Sequence, residues 1–275
     1  MTTTAVPAPA RKSPLDGIRI TFPNVVRSEW VRFRSLRSTW ITMLLTVAIV
    51  IGFGALSCLG AVSHDRGAEV LRPDFDATLR SLVGTFFAQL AFGVLGVLVV
   101  TGEYSTGMIR ATFTAVPRRL TVFLARLTVF ALASFVVLVP TAVVTFLIGQ
   151  SILARDGVDT TLGAPHVLRA VIGSALYLVA IGLLGMALGW LIRHTAGAIF
   201  ALVGVLFVVP LIIVFMPRPW PDRLEKWLPG GAGQAILHTV RDHDSLAPWT
   251  GYGALMLYVA VVLLVAAVLL RARDV

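Results

Sequence analysis

The side chains most typical of a metal site lie close together near residue 240. Each is an imidazole or a carboxylate, the groups that bind zinc, and they are His238, Asp242, His243 and Asp244. The surrounding segment, residues 217–249, alternates charged residues with proline and tryptophan. This composition is typical of short surface helices joined by solvated turns. We therefore interpret the group as part of a charged loop and predict no bound metal.

Nucleotide chemistry would need a glycine-rich phosphate-binding loop of the form G-x-x-x-x-G-K-[ST]. Lys12 and Ser13 match the last two positions, but Val6 and Arg11 occupy the glycine positions. The other lysine, Lys226, precedes a tryptophan. The sequence therefore predicts no ATP site, no catalytic centre and no cofactor in this chain.

The composition is that of an integral membrane protein. Of 275 residues, 57% are hydrophobic and only 13% are charged, and the mean hydropathy is +0.88. A soluble domain carries roughly twice that share of charge. Runs of about 20 apolar residues predict membrane-spanning helices, and six occur, at residues 40–62, 81–101, 120–149, 167–192, 196–216 and 250–270. Counting the third from residue 127 and the fourth from residue 170, none contains Asp, Glu, Lys, Arg or His.

The distribution of basic residues predicts the orientation of the chain in the membrane. With the N-terminus inside, the inner segments hold 14 of the 23 basic residues and 4 of the 14 acidic residues. The inner face then carries a net charge of +10 and the outer face −1. We predict residues 1–39 and 271–275 in the cytoplasm, residues 40–270 as the transmembrane domain, and no nucleic-acid partner for the +9 net charge.

Several residues should shape individual spans. Pro140 and Pro210 should kink the third and fifth helices, because proline lacks a backbone N–H. Glycines at 182, 185 and 189 give the fourth span a small-residue face suited to close helix contact, either within the chain or between chains. Arg126 either extends to the interface or is buried in protein.

Two segments on the predicted inner side have amphipathic patterns. Residues 24–38 place Val26, Trp30, Phe33 and Leu36 on one side, which predicts a helix lying at the membrane surface. Between the second and third spans, Ser105 or Thr106 should cap a short helix. Its apolar strip comprises Ile109, Phe113 and Val116, and Pro117 should end it. A simple charged turn is the alternative, but an apolar strip favours docking in a groove of a cytoplasmic partner.

The segment GEYSTGMIRATFTAVPRR resembles a motif of type-2 ABC transporter permeases, the membrane subunits of bacterial exporters. In that family a Gly-Glu-Tyr or Gly-Glu-Phe segment ends the second span, a Gly-Thr or Thr-Gly pair follows, and a Pro-x-Arg element precedes the third span. The matching positions are Gly102, Glu103, Tyr104, Thr106, Gly107, Pro117, Arg118 and Arg119. RHTAGAIFALVG at 193–204 and WLPGGAGQAI at 227–236 are similar to the family's fifth span and outer helical loop.

The resemblance implies an all-α fold with six transmembrane helices, an N-terminal elbow helix, a cytoplasmic coupling helix and an outer helical loop before the last span. It implies a location in the bacterial cell membrane and assembly of two permeases, identical or sibling chains, with two ATPase subunits that bind ATP and magnesium. The residues expected at the ATPase interface are Gly102, Glu103, Tyr104, Thr106, Gly107, Ile109, Arg110, Phe113, Pro117 and Arg118. Glu103 is expected to anchor the coupling helix, by capping amides or by pairing with an arginine of the partner.

The implied function is export of a hydrophobic or amphiphilic compound such as a drug, lipid or peptide. Its path should follow the permease dimer interface, lined by the first, second and fifth spans, with Thr85, Gln89 and Tyr177 as polar contacts. An ion-coupled secondary transporter is one alternative, although such proteins usually carry ionisable residues within the membrane. A membrane scaffold that transports nothing is the other.

Overall fold

The computed structural model describes residues 21–64, 75–116, 118–240 and 245–272. The predictions for the N-terminal tail, for Pro117 and for Asp242, His243 and Asp244 therefore concern residues outside the described part of the chain, as does the prediction for residues 273–275. Within the described part the chain is helical and contains no strand. Six segments there are long and apolar enough to cross a membrane, which confirms the predicted number of spans.

The helices follow one another with short connections. The first half of the chain contains α1 (Phe22–Ser35), α2 (Arg37–His64), α3 (Ala77–Leu82), α4 (Gly84–Thr106), α5 (Met108–Ala115) and α6 (Arg119–Leu153). The second half contains α7 (Val167–Ile192), α8 (Thr195–Val203), α9 (Val209–Val214), α10 (Trp220–Leu224), α11 (Pro229–Gln234) and α12 (Pro248–Ala272). The spans are α2, α3 with α4, α6, α7, α8 with α9, and α12.

Several helices extend beyond the apolar runs that predicted them. The second span covers Ala77–Thr106, several residues longer at each end than expected, and the third covers Arg119–Asp156, seven residues longer at its C-terminal end. The extra turn at the end of the second span contains Glu103, which becomes part of the helix because other helices pack around it. Hydropathy alone underestimates a helix wherever its end is buried in protein and not in lipid.

The two prolines have different effects. Helix α6 continues unbroken through Pro140. In the fifth span a π-helical turn, Gly204–Val208, separates α8 from α9, and Pro210 lies at the start of α9. Proline provides no N–H to the preceding turn and its ring crowds that turn's carbonyl, and a π turn is one way to accommodate both effects. The fifth span therefore continues through Pro210 as one helical segment, Thr195–Val214, with a π turn of the kind found at helix kinks.

Helix α7 is the centre of the bundle and packs most extensively against α4. The predicted glycine face of α7 makes this contact within the chain. A Cβ atom at Gly96 of α4 would collide with the carbonyl oxygen of Gly182, and one at Gly185 would collide with the carbonyl oxygen of Gly93. The two backbones are therefore in direct contact, as small residues permit in membrane helices.

We predict that Gly96→Ala lowers the free energy of unfolding by about 1–3 kcal/mol, because overpacking forces the helices apart. Gly52→Ala is the matched control, since a Cβ there meets nothing within 4 Å. Denaturant titration of tryptophan fluorescence in detergent would measure both. Equal stability of the two variants would contradict direct contact between α4 and α7.

Segment 217–249 forms short helices, as its composition predicted, namely α10 and α11. Asp76 attaches the far end of this segment to the bundle. One of its carboxylate oxygens caps α3 through the Leu79 amide at 2.9 Å, and the other accepts from the Thr239 amide at 2.7 Å.

Candidate functional site

A buried group of ion pairs joins α1, α4 and α6 at the end of the bundle where α5 lies. It consists of Glu29, Arg32, Glu103 and Arg126, and we call these four residues the ion-pair cluster. Two carboxylates face two guanidinium groups, so the cluster is neutral overall. Burial of a charge costs far less free energy when an opposite charge is paired with it in this way.

Arg126 is the centre of the cluster and is only 2% exposed. Its Nε and Nη2 atoms donate to the two carboxylate oxygens of Glu29 at 2.9 and 3.0 Å. Its Nη1 atom donates to Glu103 Oε2 at 2.8 Å. The planar guanidinium makes such forked contacts, which a lysine cannot. Of the two predicted placements of Arg126, the structure shows burial in protein.

Arg32 completes the cluster from the more exposed side. Its Nη1 atom contacts Glu103 and lies 3.4 Å from Glu29 Oε2. Burial, followed by the nearby charge of Arg126, lowers the pKa of Arg32, while the two carboxylates oppose that shift. Glu103 thus pairs with two arginines of its own chain, a role that the resemblance did not predict.

The sequence did not predict which face of α1 contacts the bundle. Its buried residues are Val25, Glu29 and Phe33, spaced four apart, whereas Trp30 of the predicted apolar side remains 44% exposed. Glu29 is buried on the bundle side because it pairs with Arg126. Leu36 adopts an extended conformation and separates α1 from α2.

Helix α5 begins differently from the prediction. Helix α4 continues to Thr106, and Gly107 then adopts a left-handed conformation with φ of 70°, which glycine tolerates best. The hydroxyls of Ser105 and Thr106 donate back to the carbonyl of Gly102 at 3.0 and 2.9 Å. Neither residue caps α5; the turn depends on glycine instead.

The apolar strip of α5 faces the bundle of its own chain. Ile109 and Phe113 are buried at 3% and 9% exposure. The Phe113 ring stacks on Trp190 of α7 with centroids 6.5 Å apart, and Tyr104 and Phe123 also contact that indole. We call Tyr104, Phe113, Phe123 and Trp190 the aromatic anchor. Its indole also lies 5.4 Å from the Arg126 guanidinium, a cation–π contact that joins it to the ion-pair cluster.

The opposite face of α5 is open. Met108 is 58% exposed, and Gly107, Arg110 and Thr114 are also exposed. Gly102, Thr106 and Arg118 are exposed beside it. The residues predicted at a partner interface therefore divide into two groups. One group attaches α5 to its own bundle and consists of Glu103, Tyr104, Ile109 and Phe113. The others are accessible, apart from Pro117, which is outside the described residues.

We predict that Phe113→Ala releases α5 from the bundle. Loss of a buried phenylalanine costs about 3–5 kcal/mol, and an eight-residue helix is not stable without tertiary contacts. Hydrogen exchange of the amides of residues 108–115 should therefore accelerate strongly. Met108→Ala, on the exposed face, should leave exchange unchanged. Equal protection in both variants would contradict the assigned role of the anchor.

The ion-pair cluster leaves no room for a ligand. The cavity beside Arg126 and Glu29 has a volume of about 10 Å³, enough for at most one water molecule. Its chemistry is structural: it fixes three helices and the start of α5 relative to one another.

The residues predicted to contact a substrate lie elsewhere, in the packed core between α4 and α7. Thr85, Gln89 and Tyr177 are all about 1% exposed or less. The Tyr177 hydroxyl donates to Gln89 Oε1, and Gln234 of α11 donates to that hydroxyl at 3.4 Å. The three predicted residues are therefore close together but enclosed by this chain.

No protein-family model matches the sequence, and a search of curated proteins also finds no match. The function of this chain must therefore be inferred from its residues and their geometry.

Proposed function

We propose that this chain is the permease subunit of an ATP-driven ABC exporter and that α5 is its coupling helix. The observation that carries the proposal is the way α5 is held. A short helix between two spans is fixed by the ion-pair cluster and the aromatic anchor, while its other face is accessible. A simple connecting turn would need neither attachment.

Rigid attachment is what a coupling element requires. Force applied to the open face of α5 would be transmitted by Glu103 to Arg126 of the third span. Arg126 would transmit it in turn to Glu29 of α1. The spans and α1 would then move together between two packings, and an ATPase that binds one packing better shifts the population toward it. In this proposal α1 is the elbow helix, and ATP and magnesium are bound by the partner.

The distribution of charge supports a cytoplasmic position for α1 and α5, because basic residues accumulate on that side. Accessible Gly107, Arg110 and Arg118 would then face the ATPase subunit. The fifth and first spans present most of their residues outward, consistent with a second permease beside them. We place the cargo path at that interface, and we propose a hydrophobic or amphiphilic cargo.

The buried charges also bear on the alternative function, that of an ion-coupled secondary transporter. Carboxylates within a membrane protein often carry protons or sodium. Here both Glu29 and Glu103 are engaged by arginines, with almost no cavity beside them. That arrangement favours a structural role over ion transport.

Cysteine labelling tests the orientation. The sole native cysteine, Cys58, is fully buried, so Ala111→Cys on α5 and Asp159→Cys near the opposite end of the bundle would each supply one accessible thiol. A membrane-impermeant maleimide should label Asp159→Cys in intact cells and Ala111→Cys only in inverted vesicles. The reverse pattern would exclude an ATPase contact at α5.

A second experiment tests the partner. We expect an adjoining reading frame to encode an ATPase with a phosphate-binding loop. That ATPase should co-purify with the chain, and a thiol-to-amine cross-linker on Ala111→Cys should connect the two subunits. Asp159→Cys is the negative control. A lone chain that transports cargo after reconstitution without any ATPase would refute the proposed function.

A further inference from the structure

A second cavity opens beside α1 and shares two lining residues, Phe33 and Val129, with the small cavity at the ion-pair cluster. It has a volume of about 370 Å³ and lies between α1, α2 and α6. We call it the α1 groove. Hydrophobic side chains form its walls, among them Trp30, Phe33, Trp40, Leu132 and Val136. A volume in this range is typical of small-molecule sites.

The walls indicate what kind of molecule the groove holds. A polar ligand would find no hydrogen-bond partners among aliphatic and aromatic side chains and would lose its hydration. The groove also lies beside α6, a membrane span, so hydrocarbon chains of lipid are the apolar molecules at its opening. Trp30 and Trp40 mark the level of the headgroups, where tryptophan is enriched in membrane proteins.

Two arginines stand next to these tryptophans. Arg34 is one helical turn after Trp30, and its carbonyl accepts a hydrogen bond from Trp40 Nε1 at 3.0 Å. Arg37 is the first residue of α2, one turn before Trp40. Both arginines are exposed, and within the described part of the chain neither forms an ion pair. Positive charge at the headgroup level attracts anionic lipid.

We propose that the α1 groove binds one acyl chain of an anionic phospholipid whose phosphate pairs with Arg34 and Arg37. The lipid comes from the leaflet on which α1 lies. The site is independent of the proposed transport function, because it requires only that the chain is embedded in a membrane.

The bound lipid would also support the ion-pair cluster. Phe33 and Val129 line both the α1 groove and the small cavity beside Arg126. An acyl chain in the α1 groove therefore packs against the residues that hold Glu29 and Arg126 together. Removal of lipid should loosen α1 before the rest of the bundle.

Native mass spectrometry of the purified full-length chain tests the site directly. Phosphatidylglycerol and phosphatidylcholine with identical acyl chains serve as probes. At about 1 kcal/mol per arginine, two arginines should favour the first bound phosphatidylglycerol by about 30-fold. Arg34→Gln with Arg37→Gln should remove this preference, whereas Arg223→Gln, an exposed arginine at the other end of the bundle, should keep it.

A groove-filling variant tests the position of the chain. Val136 is 69% exposed at the groove and can accept a larger side chain without disturbing the core. Val136→Trp should weaken the first phosphatidylglycerol site about tenfold. Val144→Trp, on the same helix but away from the groove and 44% exposed, should bind like the wild type. Unchanged affinity in Val136→Trp would overturn the site, and equal binding of the two lipids would overturn the headgroup assignment.

Fluorescence provides a measurement that does not depend on the folding of Val136→Trp. Phosphatidylglycerol brominated on the acyl-chain carbons nearest the headgroup should quench tryptophan emission of the wild type in a saturable step, because Trp30 and Trp40 line the groove at that level. Trp30→Phe with Trp40→Phe should abolish that step and leave only non-saturable quenching by surrounding lipid. A saturable step that survives the double substitution would also overturn the site.

Discussion

Arg126→Met is expected to lower the free energy of unfolding by about 3–5 kcal/mol, the cost of removing one partner from a buried ion pair. Methionine keeps much of the side-chain volume beside Trp190, so lost packing contributes little. The cost arises because Glu29 and Glu103, 8% and 3% exposed, retain only Arg32 as a charged partner among the described residues. The free energy of unfolding in detergent, from denaturant titration, measures the effect.

The matched control is Arg155→Met, which removes an exposed arginine from the other end of the same span and should change stability little. The triple variant Arg126→Met, Glu29→Gln and Glu103→Gln should recover part of the loss, because it removes the uncompensated carboxylates together with their partner. A loss below about 1 kcal/mol for Arg126→Met would show that the carboxylates are hydrated and that the cluster is not a dry ion-pair group.

The spans were predictable because lipid imposes a simple rule. A segment that crosses hydrocarbon must satisfy its own backbone and present apolar side chains, so about 20 apolar residues reveal a helix. Amphipathic spacing, a separate signal, predicted helices at the positions of α1 and α5. The lipid rule gave no information on where a helix continues past the lipid, as α4 does to Thr106.

The ion-pair cluster was only partly predictable. Glu103 was identified through a resemblance and Arg126 as the one basic residue of the third apolar run. Glu29 was missed because it entered only the count of acidic residues on the predicted inner side. Its signal was present: it is the only acidic residue of α1, and it lies between Val25 and Phe33 on one helical face. A lone acid on a buried face and a lone base in a nearby span are expected to pair.

Trp190 could not be found from sequence. It ends an apolar run, like many interfacial tryptophans, and nothing local shows that Tyr104, Phe113 and Phe123 converge on it. Such a convergence depends on how α5 folds back onto the bundle. The left-handed conformation of Gly107 determines the direction in which α5 folds back. The strip of Ile109 and Phe113 was correctly recognised as apolar, but periodicity does not distinguish a partner's groove from the chain's own core.

Glu103→Gln is expected to leave assembly with the ATPase partner intact and to weaken the coupling between α5 and the third span. Glutamine has nearly the same shape, and its amide oxygen can still accept from Thr112, whose hydroxyl lies 3.3 Å from Glu103 Oε1, or from one arginine. Glu29 remains on Arg126 with two hydrogen bonds. The variant should therefore insert and bind its ATPase partner. What it loses is the charged connection that carries movement from α5 to the third span, a link of the size that changes coupling by about 0.5–2 kcal/mol.

In the purified complex with the partner ATPase, substrate-stimulated ATP hydrolysis should fall about tenfold while basal hydrolysis and subunit stoichiometry stay unchanged. Glu225→Gln, which removes an exposed carboxylate from the opposite end of the bundle, is the control and should behave like the wild type. Some loss of thermal stability is expected in either case, because Arg32 and Arg126 are left with Glu29 as their one carboxylate in the ion-pair cluster. A merely structural role for Glu103 would leave the stimulation ratio of the surviving complex intact. Full stimulation in the folded variant would therefore refute the path from α5 through Glu103 to Arg126.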